Sequence, residues 1–185
     1  MKSSSKSTRH VALLRGINVG GNNIIKMVDL RVCFEAIGYA DVATYIQSGN
    51  VVFSAKPADR ASIISKIEKA LDKTFGYESR IVLVSASEFE AVVRQAPAQF
   101  GTQPDDYRYD VLFLKEPLTA GEALQRISTK PGVDQAHAGD HALYFRRLIS
   151  KAEQSHLTRL IQQPMYKSIT IRNWNTTTRL LEMLA

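Results

Sequence analysis

Two polar segments stand where an apolar strand-like run gives way to a helix-like pattern. The first is Leu14-Arg15-Gly16-Ile17-Asn18-Val19-Gly20-Gly21, directly after Val11-Ala12-Leu13. The second is Arg172-Asn173-Trp174-Asn175-Thr176, between Ile169-Thr170-Ile171 and a final amphipathic stretch. At such junctions backbone N–H groups point outward and hold anions or polar ligands. Arg15 is the only charge in its strand, so its guanidinium must be paired or face a cleft. Gly16, Gly20 and Gly21 permit close backbone approach, and Asn18 adds an amide donor and acceptor. Arg172 and Trp174 side by side at a helix start suit a phosphate and a stacked ring, with Asn173 and Asn175 as hydrogen-bonding flanks. Ser48-Gly49-Asn50 offers a third polar edge, with Ser48 and Asn50 as its side-chain groups. Each segment also has an architectural reading. Arg15 then belongs to a tight connection, Asn175 or Thr176 is the helix N-cap, Trp174 packs between sheet and helix, and residues 48–50 make a hairpin turn. Both readings stay open on the sequence alone.

Other chemistry has little support. The first loop is neither G-x-G-x-x-G nor G-x-x-x-x-G-K-[ST]. His137 and His141 straddle a predicted turn rather than sharing a helix face, which does not suit a metal pair. There is no G-x-S-x-G elbow, the single Cys33 falls on an apolar helix face, and Asp105-Asp106 sits in a polar loop. No catalytic constellation is recognisable, and no cofactor or metal is implied.

The elements that position these segments follow from periodicity. Val11 to Ile17 reads as a buried strand, and Met27, Leu30, Cys33, Phe34 and Ile37 recur at helical spacing up to Gly38. Asp41–Gln47 and Asn50–Ser54 form a hairpin. Ile63, Ile64, Ile67, Leu71 and Phe75 mark a helix capped at Asp59 and closed at Gly76, and Ser79–Val84 is another strand. That order is βαββαβ, the ferredoxin-like unit. A connector helix with a Ser87-x-x-Glu90 box and a polar loop follow. Then Tyr109–Leu114, a helix capped by Thr119-x-x-Glu122, the pair Val133–Ala138 and Ala142–Arg146, a helix capped by Ser150-x-x-Glu153, and Lys167–Ile171 repeat the order. The expected architecture is α+β: two tandem ferredoxin-like subdomains with mostly antiparallel sheets, plus a C-terminal helix. Its divisions are a disordered leader (1–10), an N-terminal half (11–85), a connector (86–108) and a C-terminal half with the terminal helix (109–185).

Three motifs in order carry a family resemblance. Val11 to Gly21, Thr44-Tyr45-Ile46-Gln47-Ser48-Gly49-Asn50-Val51-Val52-Phe53 and Arg172 to Thr176 resemble the bacterial domain-of-unknown-function family 1697. The resemblance implies a cytosolic α+β protein with tandem ferredoxin-like halves, and implies no reaction. One stretch departs from the family pattern. After Tyr144-Phe145 relatives show a Gly and a Ser-Lys-Leu-like run, whereas this chain reads Arg146-Arg147-Leu148-Ile149-Ser150-Lys151.

Composition narrows the partners. Hydrophobic residues at 44% and charged residues at 23% belong to a globular protein, not a disordered one. No apolar stretch approaches the roughly 20 residues of a spanning helix, and the basic leader lacks the apolar core of a signal peptide. One cysteine suits a reduced thiol in the cytoplasm. The net charge of +6 divides into +3 in the leader, −2 from Val11 to Leu143 and +5 from Tyr144 onward. A local basic field favours a small phosphate- or carboxylate-bearing ligand, a nucleotide among the candidates, over a duplex-wide footprint. The alternatives are single-stranded nucleic acid stacked on Tyr109, Phe113, Tyr144 or Phe145, and a protein–protein or homodimer module. The chain is expected to be a monomer or homodimer.

Overall fold

A computed structural model describes residues 7–19 and 23–185 and divides into two units. One runs to Ser87 and takes in Glu182–Ala185; the other is Glu88–Leu181. In the first, β1 (Thr8–Leu14), α1 (Met27–Ala36), β2 (Ala40–Tyr45), β3 (Asn50–Ala55), α2 (Arg60–Phe75) and β4 (Ile81–Ser85) follow in order. The sheet runs β2-β3-β1-β4 with every neighbour antiparallel. Alternation sets what each strand buries: Ala12 and Leu14 of β1, with Val51 and Phe53 of β3, join Leu30 and Phe34 of α1 and Ile63, Ile67 and Leu71 of α2 in one core. Asp59 caps α2 by accepting from Ser62 N at 2.8 Å, and Gly76 closes it.

The first strand starts earlier and stops sooner than its apolar run suggests. Thr8, Arg9 and His10, expected in a disordered leader, pair with Ala55, Ser54 and Phe53, and the His10 ring stacks on Phe53 at 5.6 Å. Arg9 also donates to the Met183 carbonyl at 2.7 Å. At the other end the extended backbone breaks where Gly16 takes φ +74° and Asn18 takes φ +53°. Ile17 is therefore a buried loop residue, not a strand residue.

The second unit repeats the topology. After α3 (Ala86–Arg94) come β5 (Tyr107–Leu114), α4 (Ala120–Arg126), β6 (Asp134–Ala138), β7 (Ala142–Leu148), α5 (Leu157–Ile161), β8 (Ile169–Asn173) and α6 (Trp174–Leu184). The sheet order is β6-β7-β5-β8, again antiparallel throughout. Leu112, Leu143 and Phe145 meet Ala123, Leu157 and Leu160 in its core, while Phe89 of α3 stacks on Phe113. The Thr119–Glu122 capping box forms as its spacing predicts. The Ser150-x-x-Glu153 box does not: Ile149–Gln154 is a 3-10 helix, kinked at Lys151. Ser155 takes over, accepting from Leu157 N at 3.2 Å and donating to the buried Asp134 at 2.6 Å, so that α5 starts later and stays short. Both halves are thus antiparallel α+β sheets, consistent with tandem ferredoxin-like units. No helix among the described residues is long and apolar enough to cross a membrane.

Candidate functional site

In the first unit the structure brings the Arg15 loop and the 48–50 turn together. Leu14 N donates to the Gly49 carbonyl at 2.8 Å, and the Asn18 amide donates to the carbonyls of Gln47 (2.8 Å) and Ile25 (3.0 Å). Asn18 Oδ1 accepts from Ile25 N at 2.8 Å. Asn50, wholly buried, donates to the Tyr45 carbonyl (2.9 Å) and to Ser48 Oγ (3.1 Å). Asn23 donates to the Gly16 carbonyl, and the Tyr77 hydroxyl to the Arg15 carbonyl. The amides of this motif are thus engaged in shaping the loop, and Arg15 itself is half-buried. Gly20 and Gly21 lie outside the described residues.

In the second unit β8 extends through Asn173, two residues beyond its apolar core, so Arg172 is a strand residue opposite Val111. It is 8% exposed, its Nη1 donates to the Ile171 carbonyl at 2.9 Å, and burial pulls its pKa down to about 10. The guanidinium therefore remains charged at neutral pH. The helix cap is Asn173, not Asn175 or Thr176: its Oδ1 accepts from Thr176 N at 2.7 Å.

That strand-to-helix junction forms one wall of a cleft of about 310 Å³. Asn173, Trp174 and Asn175 line it, together with Tyr107, Arg108 and Asp110 of β5, Arg147 of β7 and Gly101 of the preceding loop. Arg172 does not line it. Asp110 pairs with Asn173 across the ladder, whereas Arg172 stands opposite Val111, one position further into the sheet. The Trp174 indole is pinned edge-on to Phe100 at 5.2 Å, and the Gly101 backbone lies flush against it. Arg146 lies over the Tyr107 ring at 4.7 Å.

Charge in the cleft is incompletely paired. Arg147 Nη2 stands 3.7 Å from Asp110 Oδ2, inside ion-pair range but beyond a hydrogen bond. Asp110 Oδ2 and Arg147 Nε are both buried without a hydrogen-bond partner. Burial raises the Asp110 pKa, and the opposing pull of Arg147 and then Arg108 does not cancel it. Asp110, Arg108 and Arg147 were absent from the sequence-derived site. An acidic residue inside the apolar run Val111–Leu114 and Tyr109 is the same signal that drew attention to Arg15, and it would have found Asp110.

Elsewhere, the four rings weighed for stacking bases, Tyr109, Phe113, Tyr144 and Phe145, are each buried. Among the described residues no three His, Cys, Asp or Glu side chains gather as metal ligands.

The family described as "Protein of unknown function (DUF1697)" matches residues 7–144. Among solved structures, a conserved bacterial protein from Streptococcus pneumoniae is similar, at 28% identity and a TM-score of 0.85, over 97% of this chain and 100% of that one. No curated protein matches.

Proposed function

The chain belongs to the DUF1697 family, and for it we propose the binding of a small ligand bearing a phosphate or carboxylate group in the cleft where β8 gives way to α6. The observation that carries this reading is convergence within one cleft: two arginines, Arg108 and Arg147, the start of the eleven-residue helix α6, and the aromatic side chains of Tyr107 and Trp174. A guanidinium fork and a helix start both favour an oxyanion, and the two aromatic side chains suit a planar group such as a nucleotide base. Asn173 and Asn175 supply side-chain amides at the rim. A cytoplasmic setting fits the single, buried thiol of Cys33.

The test is thermal unfolding against sugar phosphates, nucleotides and carboxylates. A ligand at 100 times its Kd stabilises by about 2.7 kcal/mol, or roughly 5–11 °C in a chain of this size. Arg147→Ala removes a charged donor, weakening binding by about tenfold to a hundredfold. Equal shifts in the wild type and in Arg147→Ala would place the ligand elsewhere.

A second reading, a homodimer module, is favoured by one observation. Of the six large hydrophobic side chains exposed among the described residues, five (Val19, Ile24, Val28, Val32 and Ile46) belong to the first unit. A solution mass of twice 20.6 kDa supports it; a mass of 20.6 kDa at high concentration counts against it.

A further inference from the structure

The cationic groups and helix start account for an anion in the cleft, but Asp110 does not belong with them, because a carboxylate repels the same ligand. It is only 9% exposed and lines the cleft, and its Oδ2, closed to solvent beside Arg147, has no hydrogen bond, so that a ligand donor reaches it as the Arg147 side chain turns onto the ligand's anionic group. A buried carboxylate left short of donors is costly, and such a group in a cleft calls for a partner. Arg147 does not fill the role at 3.7 Å. Resting on the anion-binding reading above, we infer that Asp110 is a specificity-determining residue that accepts a hydrogen bond from a hydroxyl group of the ligand, so that the cleft takes hydroxyl-bearing phosphates of the sugar-phosphate class in preference to bare phosphate.

The donor must be neutral. Arg147 and Arg108 both act electrostatically on Asp110, so a ligand ammonium brought to the same carboxylate would meet two positive charges. A hydroxyl meets no such repulsion and donates to a carboxylate in a charge-assisted bond. The carboxylate thus excludes simple dianions by charge and readmits those that carry a donor beside the anionic group, a device that selects by leaving a polar group unpaired with the wrong ligand.

The experiment is calorimetric titration of the full chain with ribose 5-phosphate and with inorganic phosphate, for the wild type, Asp110→Asn and Asp110→Ser. The wild type should prefer ribose 5-phosphate by about tenfold to a hundredfold, the value of a hydrogen bond to a charged group. In Asp110→Asn the preference should shrink to about threefold or less, with inorganic phosphate binding more tightly because the repelling charge is gone. Asp110→Ser, which keeps neither charge nor shape, should lose the preference too, and circular dichroism checks that each variant is folded. Equal binding of both ligands by the wild type, or a preference that survives both substitutions, overturns the role of Asp110 while leaving the anion site intact. Failure of the wild type to bind either compound overturns the anion site and this inference with it.

Discussion

Replacing Gly101 by Ala should both destabilise the protein and move its only tryptophan. Gly101 has φ +87°, and a Cβ built on it would stand 2.3 Å from Cδ1 and Nε1 of Trp174. An L side chain in the left-handed region costs about 1–2 kcal/mol, and forcing a methyl group into a packed contact adds about 1–3 kcal/mol. Because Trp174 is only half-buried it can swing toward solvent, which puts the expected total near the lower end, about 2–3 kcal/mol. In a chain of this length that lowers Tm by roughly 4–12 °C. The sequence contains one Trp, so emission reports this ring alone and should shift to longer wavelength as the indole is exposed. Gly121→Ala is the control. Nothing lies within 4 Å of its added Cβ, and it lies in the first turn of α4, so the change should stabilise by at most about 0.5 kcal/mol. Unchanged Tm and unchanged emission in Gly101→Ala would refute the placement of the indole against that loop, and with it the wall of the cleft.

Further outcomes follow from individual contacts. The Tyr144 hydroxyl donates at 2.5 Å to the Val92 carbonyl in the last turn of α3, so Tyr144→Phe leaves a buried acceptor unmet and should cost about 1–3 kcal/mol in urea unfolding. Burial pushes the Tyr144 pKa up to about 12 from 10. That stabilising contribution is present below pH 10 and lost as pH rises through about 12, so the wild type should weaken in this window more than Tyr144→Phe does. Asn18→Ala removes three hydrogen bonds at a residue with φ +53°, and should cost about 1–3 kcal/mol; Asn18→Gly, which tolerates that backbone, should cost less. Asp110 has a raised pKa, so its ionisation opposes folding: stability relative to Asp110→Asn should fall as pH rises through its titration, read from unfolding at acid and neutral pH.

The repeated βαββαβ order was legible because its signals are local. Leu30, Cys33 and Phe34, or Ile63, Ile67 and Leu71, mark helix faces by spacing alone, and the Thr119–Glu122 box marks its own helix start. Boundaries were legible only where a local signal existed. The end of β8 had none, since nothing in Arg172-Asn173 says that the strand ladder with β5 continues to Asp110 opposite Asn173. Ser150 lost its expected cap because Ser155 gained a tertiary partner in Asp134, twenty-one positions away. The site divides the same way. Asn173, Trp174 and Asn175 were visible as a polar run, but Asp110, Arg108 and Arg147 join them only through the β8-β5-β7 pairing, which no spacing along the chain encodes.

Titration of the wild-type protein with ribose 5-phosphate, followed by Trp174 fluorescence and repeated on Arg147→Ala, tests the central claim most directly. A saturable change in emission that weakens by about tenfold or more in the variant is the predicted result. Flat emission in the wild type, or the same curve from both proteins, would contradict the assignment of the β8–α6 cleft as the ligand site.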